Sequence, residues 1–94
     1  MLRSLAITLH ELATNAAKYG ALAVPGGQVE LNWSHDVDGR LHLRWAELNG
    51  PKVQEPTHMG FGGRIIERMI AKHSGKTHFD WRADGLVCEI TLKV

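Results

Sequence analysis

Residues 2–20 read LRSLAITLHELATNAAKYG, and apolar side chains recur in them at steps of three and four residues. This spacing places the apolar side chains in one stripe along a helix. The stripe is formed by Leu2, Leu5, Leu9, Leu12, Ala16 and Tyr19. Gly20 is expected to end the helix, because glycine readily takes the left-handed backbone conformation that closes many helices. The stretch therefore predicts a helix with one face on a core.

Two pairs of strands are predicted after this helix. Residues 29–33 and 41–45 alternate apolar and polar side chains on either side of a turn at residues 36–39, which is the pattern of a β-hairpin. Helical spacing returns in residues 63–74, and a second hairpin follows in residues 79–94. The order of elements predicts an α+β fold in which helices cover the apolar face of an antiparallel sheet. The three tryptophans, all on strands, are expected in the core.

Length and composition restrict the class of protein. The chain has 94 residues, 44% of them hydrophobic, which fits one small globular domain. A formal net charge of +1, with both signs interspersed, gives no electrostatic surface for nucleic acid or for an anionic membrane. No apolar run approaches the roughly 20 residues that a membrane span needs. Cys88 is the single cysteine, so no intrachain disulfide can form and a cytoplasmic location is expected.

Three polar residues of the first helix share a second stripe. Glu11, Asn15 and Lys18 follow one another at steps of four and three, and at about 100° per residue they line up roughly 120° away from the apolar stripe. A carboxylate, an amide oxygen and an ammonium suit a Mg²⁺-triphosphate, because Mg²⁺ prefers oxygen ligands and lysine meets phosphate as a point charge. A solvated helix face has the same pattern, and the spacing leaves both interpretations open.

Glu47 interrupts an apolar pattern. It follows Leu43 and Trp45 at even spacing, so it continues the apolar face of the second strand. An unpaired carboxylate that points toward the helices would be costly. Either the strand has ended and Glu47 lies in water, or its side chain meets a specific donor.

Glycines and histidines give weaker indications. GFGG at residues 60–63 precedes the second predicted helix, where glycines let phosphate approach the backbone and helix amides attract anions; a plain loop is the other interpretation. Neither the dinucleotide fingerprint nor a GK[ST] phosphate loop is present. The six histidines contain no HxH or HxxxH pair, so a zinc site is not expected.

Three longer segments stand in a fixed order, namely HELATNAAKYGAL (residues 10–22), WAELNGP (residues 45–51) and GFGGRIIER (residues 60–68). They resemble the N box, the G1 box and the G2 box of the HWE group of bacterial sensor histidine kinases. The resemblance implies a two-layer α/β sandwich of the Bergerat type, with ATP held between the helices and a mostly antiparallel sheet. It implies that residues 1–94 form one histidine-kinase-like ATPase domain that lacks the family's usual upstream strands.

The resemblance also assigns roles to single residues. Asn15 matches the Mg²⁺-binding asparagine and Glu11 the nearby acid that orients water or the metal, so both are implied metal ligands. Glu47 takes the place of the aspartate that recognises adenine in most related kinases. The implied catalytic residues are Glu11, Asn15 and Lys18. The implied ATP-binding residues are Asn15, Lys18, Tyr19, Glu47, Asn49, Gly50, Gly60, Phe61, Gly62 and Gly63. Asn49 departs from the family, which often has glycine there.

The function that the resemblance implies is the ATP-binding portion of a two-component sensor kinase, with ATP and Mg²⁺ as cofactors. Its partners would be a separate dimerisation domain that carries the phosphoacceptor histidine and the receiver domain of a response regulator. The chain is not expected to be active alone, and an exposed sheet edge would allow homo-oligomers. One alternative is a non-catalytic module that only docks a response regulator. Another is an anti-sigma-type serine kinase, against which the Trp-x-Glu motif counts.

Overall fold

The computed structural model describes residues 2–51 and 63–93. A long helix opens the chain, a single 3-10 turn at Ala21–Ala23 follows it, and two hairpins flank a second helix. The elements are α1 (Leu2–Tyr19), β1 (Gln28–His35), β2 (Arg40–Leu48), α2 (Gly63–Ala71), β3 (Lys76–Arg82) and β4 (Gly85–Lys93). The order of elements confirms the prediction from the sequence pattern.

The four strands form one sheet in the order β1-β2-β4-β3, and every neighbouring pair is antiparallel. Trp45 on β2 pairs with Leu31 of β1 on one side and with Cys88 of β4 on the other. Because side chains alternate across a sheet, residues at these positions share the face that α1 and α2 cover. The buried cluster between the layers comprises Leu12, Ala16, Leu43, Trp45, Ile66, Ile70, Leu86, Cys88, Ile90 and Leu92. The α+β fold class is thereby confirmed.

Hydrogen bonds of Asp36 and His42 on the outer face of the sheet hold the first hairpin together. Oδ1 of Asp36 accepts the backbone N–H groups of Asp38 and Arg40, each at 3.0 Å. Its other oxygen lies 2.9 Å from Nε2 of His42, and Nδ1 of the same ring lies 3.3 Å from Oγ1 of Thr91 on β4. These hydrogen bonds connect the turn at residues 36–39 to β2 and β4. A short polar sequence is therefore enough to hold the turn in one conformation.

Helix ends differ from the sequence prediction. Gly20 donates its N–H to the carbonyl of Ala16 at 3.0 Å, but its φ of −116° and ψ of −150° are extended, so the expected left-handed closure of α1 was wrong. The second helix ends at Ala71 rather than at Ser74. There it is Ser74 that takes a positive φ of 56°, and Gly75 donates its N–H to the carbonyl of Ile70 at 3.0 Å.

Two aromatic side chains are exposed although the pattern placed them in the core. Trp33 is 67% exposed on the edge strand β1, and Tyr19 is 61% exposed at the end of α1. Trp45 is buried, and Trp81 packs partly buried against the core. No helix among the described residues is both long and apolar enough to cross a membrane. Residues 52–62, which include most of the GFGG segment, lie outside the described residues.

Candidate functional site

Glu47 near the end of β2 is buried and is held by two donors. Its side chain is 3% exposed. Oε1 accepts the backbone N–H of Ala21 at 2.9 Å, and Oε2 accepts the indole N–H of Trp45 at 3.3 Å. A buried carboxylate without donors would be strongly destabilising, and these two bonds reduce that cost. Of the two interpretations that the sequence left open, the specific donor is the observed one.

Glycines leave the space that this carboxylate occupies. A Cβ on Gly20 would lie 2.1 Å from Oε1 of Glu47, and a Cβ on Gly85 would lie 2.6 Å from the Cβ of Glu47. Gly85 also has a φ of +144°, which L side chains rarely adopt. The side chain of Glu47 therefore lies in a slot with a glycine on either side, one at the end of α1 and one at the start of β4.

Ala21 is the point at which three segments approach one another. It is fully buried, and its N–H is the donor to Glu47. A Cβ on Gly50 would lie 2.6 Å from the Cα of Ala21, and a Cβ on Gly27 would lie 1.7 Å from its carbonyl oxygen. Backbone can pass this close only because both neighbours are glycines. The residues that follow α1 are thus packed directly against the end of β2.

Asn49 and Gly50 are held by the turn between β3 and β4. The N–H of Gly50 donates to the backbone carbonyl of Asp84 at 2.9 Å, and the N–H of Asn49 donates to Oδ2 of the same residue at 3.4 Å. Asn49 has a φ of 58°, a left-handed conformation that asparagine tolerates better than most residues with a side chain. Asparagine at this position therefore satisfies the backbone requirement that glycine would otherwise meet.

The polar stripe of α1 is present on the helix as the spacing predicts. Glu11 and Asn15 are half-buried, whereas Lys18 and Tyr19 are exposed. Oxygen donors on successive turns, partly covered by neighbours, have the chemistry that Mg²⁺ requires. Within residues 2–51 and 63–93, no group of three or more His, Cys, Asp or Glu side chains could hold a metal ion.

The predicted site residues divide into four sets. Glu47, Asn49 and Gly50 lie together around Ala21 at the end of β2, and the stripe of Glu11, Asn15 and Lys18 lies on the helix that leads into Ala21. Tyr19 and Gly63 lie at the end of α1 and at the start of α2. Gly60, Phe61 and Gly62 are outside the described residues.

Sequence reasoning missed the contacts that hold Glu47 and Asn49. Trp45 was assigned to the core only, and Gly20 only to the end of the helix. The spacing of two between Trp45 and Glu47 places both side chains on one face of β2, so their pairing could have been inferred. The donor from Ala21, 26 residues away, and the carbonyl of Asp84 had no local signal.

Similar proteins are found by sequence, although no family model matches the chain. A protein named blue-light-activated histidine kinase 1, from Erythrobacter litoralis, is 47% identical over 94 residues, which is 97% of this chain and 26% of the relative. The blue-light-activated histidine kinase of Brucella ovis is 36% identical over 95 residues, which is 97% of this chain and 19% of the relative. The chain thus spans about a quarter or less of the length of these curated relatives.

Solved structures share the fold. The histidine kinase domain of the blue-light-activated kinase EL346 of Erythrobacter litoralis has a TM-score of 0.80 and 18% identity, with 96% of this chain and 46% of that chain covered. The catalytic domain of histidine kinase ThkA has a TM-score of 0.74 and 19% identity, with 97% of this chain and 65% of that chain covered. These relatives align with 97% of the chain and confirm its resemblance to histidine kinases. The solved structures show that it has the fold of their catalytic domains.

Proposed function

We propose that the chain binds Mg-ATP and is the catalytic portion of a two-component sensor kinase. The γ-phosphoryl group of ATP would pass to a histidine on a separate dimerisation domain, and from there to an aspartate of a response regulator. One observation carries the proposal: the helix with the stripe of Glu11, Asn15 and Lys18 is tied at its end to Glu47 through the N–H of Ala21. The residues that would bind the metal and the phosphates, on α1, are thereby connected to Glu47, the residue that would bind the base.

Each residue has a role that suits its position. Asn15 and Glu11 would hold Mg²⁺ through side-chain oxygens, and Lys18 would meet the phosphates. Bound Mg²⁺ would neutralise charge on the phosphate oxygens, which is a major part of catalysis in phosphoryl transfer. Tyr19, Asn49 and Gly50 would contact the nucleotide, and Gly60, Phe61, Gly62 and Gly63 would shape the phosphate-facing turn and its lid.

Glu47 would recognise adenine. Each carboxylate oxygen has two lone pairs, and each oxygen of Glu47 uses one of them within the protein. The second lone pair can accept the exocyclic amino group of adenine. Guanine and hypoxanthine present a carbonyl oxygen at the same place, which would leave two acceptors facing each other.

The surroundings of the domain are also part of the proposal. Residues 1–94 would be one portion of a larger cytoplasmic kinase whose partners are the histidine-bearing domain and a receiver domain. β1 and β3 are the edge strands of the described sheet, and β1 carries the exposed Trp33. Open strand edges recruit other chains, so self-association through β1 is expected at high concentration. Light scattering that shows only monomer at every concentration would contradict this part.

Titration with a non-hydrolysable ATP analogue, with and without Mg²⁺, tests the proposal. Asn15→Ala should weaken binding in Mg²⁺ far more than binding in chelator, because alanine supplies no oxygen ligand. Asn32→Ala, a matched amide deletion at an exposed position on β1, should leave both affinities unchanged. Equal weakening in both conditions would argue against Asn15 as a metal ligand.

Phosphoryl transfer needs its own test. The chain incubated with γ-labelled ATP should not label itself, because positioning of donor and acceptor accounts for much of such catalysis. Addition of a histidine-bearing dimerisation domain should restore transfer. Binding of a receiver domain without any binding of nucleotide would instead identify the chain as a docking module.

A further inference from the structure

The two hydrogen bonds that Glu47 accepts differ in length, so its two oxygens are held with different strength. The bond from the Ala21 N–H to Oε1 is 2.9 Å, which is the usual length for an N–H to oxygen bond. The bond from the Trp45 indole to Oε2 is 3.3 Å, which lies beyond the usual range. Oε2 is therefore oriented by its donor but only weakly satisfied by it.

The carboxylate has little freedom except rotation of its terminal group. Gly20 and Gly85 border its slot so closely that neither could carry a Cβ without displacing it. The terminal torsion of glutamate is broad and has only a weak intrinsic preference. The plane of the two oxygens must therefore be set by the donors at either end, which are a backbone amide on one oxygen and the indole on the other.

We propose that Trp45 is a positioning residue for base recognition: its indole N–H fixes the plane of the Glu47 carboxylate and leaves a lone pair of Oε2 directed at the amino group of adenine. This inference rests on the proposed function of Glu47. Loss of the indole N–H frees Oε2 to turn, and the advantage of a base that carries an amino group falls. Trp45 is 7% exposed, so its effect on the base passes through Glu47.

ATP and ITP provide the test, because they differ at the position where adenine has its amino group and hypoxanthine a carbonyl. Binding of both is measured for the parent protein and for Trp45→Phe, which keeps an aromatic ring and removes the N–H. The ITP dissociation constant should exceed the ATP dissociation constant by a factor of roughly ten or more in the parent. In Trp45→Phe this factor should be smaller than in the parent by roughly threefold to tenfold. Trp33→Phe, the same substitution at an exposed tryptophan, should leave the ratio unchanged.

A second variant separates the N–H from the shape of the side chain. Incorporation of 3-benzothienylalanine at residue 45 keeps the two-ring shape and replaces the N–H with sulfur, and it should lower the ratio as Trp45→Phe does. It decides the matter if Trp45→Phe fails to fold.

The outcomes distinguish this inference from the proposal on which it rests. ATP and ITP affinities that fall by the same factor, or an unchanged ratio in both variants, would overturn the positioning role and leave ATP binding intact. A parent protein that binds ATP and ITP equally well would overturn recognition of the base by Glu47. A parent protein that binds neither nucleotide would overturn the proposed function itself.

Discussion

Replacement of Gly20 by alanine tests whether the Glu47 carboxylate depends on the space beside α1. An ideal Cβ at residue 20 would lie 2.1 Å from Oε1 of Glu47 and 3.1 Å from the Cα of Ala16. The backbone of Gly20 is extended, at a φ of −116° and a ψ of −150°, so alanine brings no penalty of a left-handed conformation. The cost of Gly20→Ala therefore comes from displacement of the carboxylate, which breaks the bond from the Ala21 N–H.

Two opposing contributions set the size of the effect. A hydrogen bond to a charged group contributes about 1.5–3 kcal/mol to stability. Replacement of glycine by alanine restricts the unfolded chain and offsets about 0.4–1 kcal/mol of the loss. The expected net loss in the free energy of unfolding is then about 0.5–2.6 kcal/mol. For a domain of this size the corresponding fall in Tm is roughly 2–20 °C.

Urea unfolding followed by tryptophan fluorescence measures this loss, and a double-mutant cycle with Glu47→Ala isolates the contact. In the Glu47→Ala background, Gly20→Ala should no longer destabilise and should instead stabilise by about 0.4–1 kcal/mol, because no carboxylate remains to be displaced. Gly26→Ala is the control: Gly26 has a φ of +83°, and apart from its two chain neighbours no described residue has an atom within 4 Å of an ideal Cβ there. Its cost should be the same in both backgrounds. An equal loss from Gly20→Ala in both backgrounds would refute the reasoning.

The remaining tests concern three side chains outside the Glu47 contact. The hydrogen bond from His42, followed by the N–H of Arg40, holds the pKa of Asp36 below its usual 3.8. The resulting stabilisation is present above pH 3.8 and is lost as the pH falls through the lowered pKa, so Asp36→Asn should flatten the acid limb of a stability-against-pH curve; an unaltered limb would contradict this. Burial raises the pKa of the Cys88 thiol to about 12, so thiol labelling at neutral pH should follow unfolding by urea, and fast labelling of the native protein would count against it. Asn49→Gly should leave the free energy of unfolding nearly unchanged and Asn49→Val should lower it by about 1–2 kcal/mol, because Asn49 has a left-handed φ; equal effects in urea unfolding would rule this out.

The helices and hairpins could be predicted because their side chains repeat with the period of the structure. The spacing of three and four in residues 2–20 gave a helix, and α1 is observed at Leu2–Tyr19. Alternation on either side of residues 36–39 gave the first hairpin, which β1 and β2 form in full register. In each case the information lies within one element or one turn, so a single sequence contains it.

The exposure of a side chain and the way a helix ends depend on contacts with other elements. The spacing of residues within one element did not predict either of them. Trp33 alternates in phase with Leu31, yet it is 67% exposed, because β1 is an edge strand that the helix layer does not cover along its whole length. Alternation identifies a face of the sheet and not the extent of its cover. Gly20 was expected to close a helix by its own conformation, whereas its observed importance is the space it leaves for Glu47, a residue of another element.

The hydrogen bond from Ala21 to Glu47 joins the end of α1 to the end of β2. α1 carries the proposed metal and phosphate ligands, and β2 carries the proposed base ligand. Ala21 follows α1 after a single residue, and its N–H is bonded to Glu47 across 26 positions of sequence. A helix advances about 1.5 Å per residue with little variation, so the separation between Asn15 and the carboxylate is fixed by one turn of rigid helix and one buried hydrogen bond. The four glycines around Ala21 and Glu47, which are Gly20, Gly27, Gly50 and Gly85, let the segments approach closely enough for that bond to form. Recognition of the base and binding of the phosphates would therefore depend on the same contact, and a substitution that loosens it would affect both ends of the nucleotide.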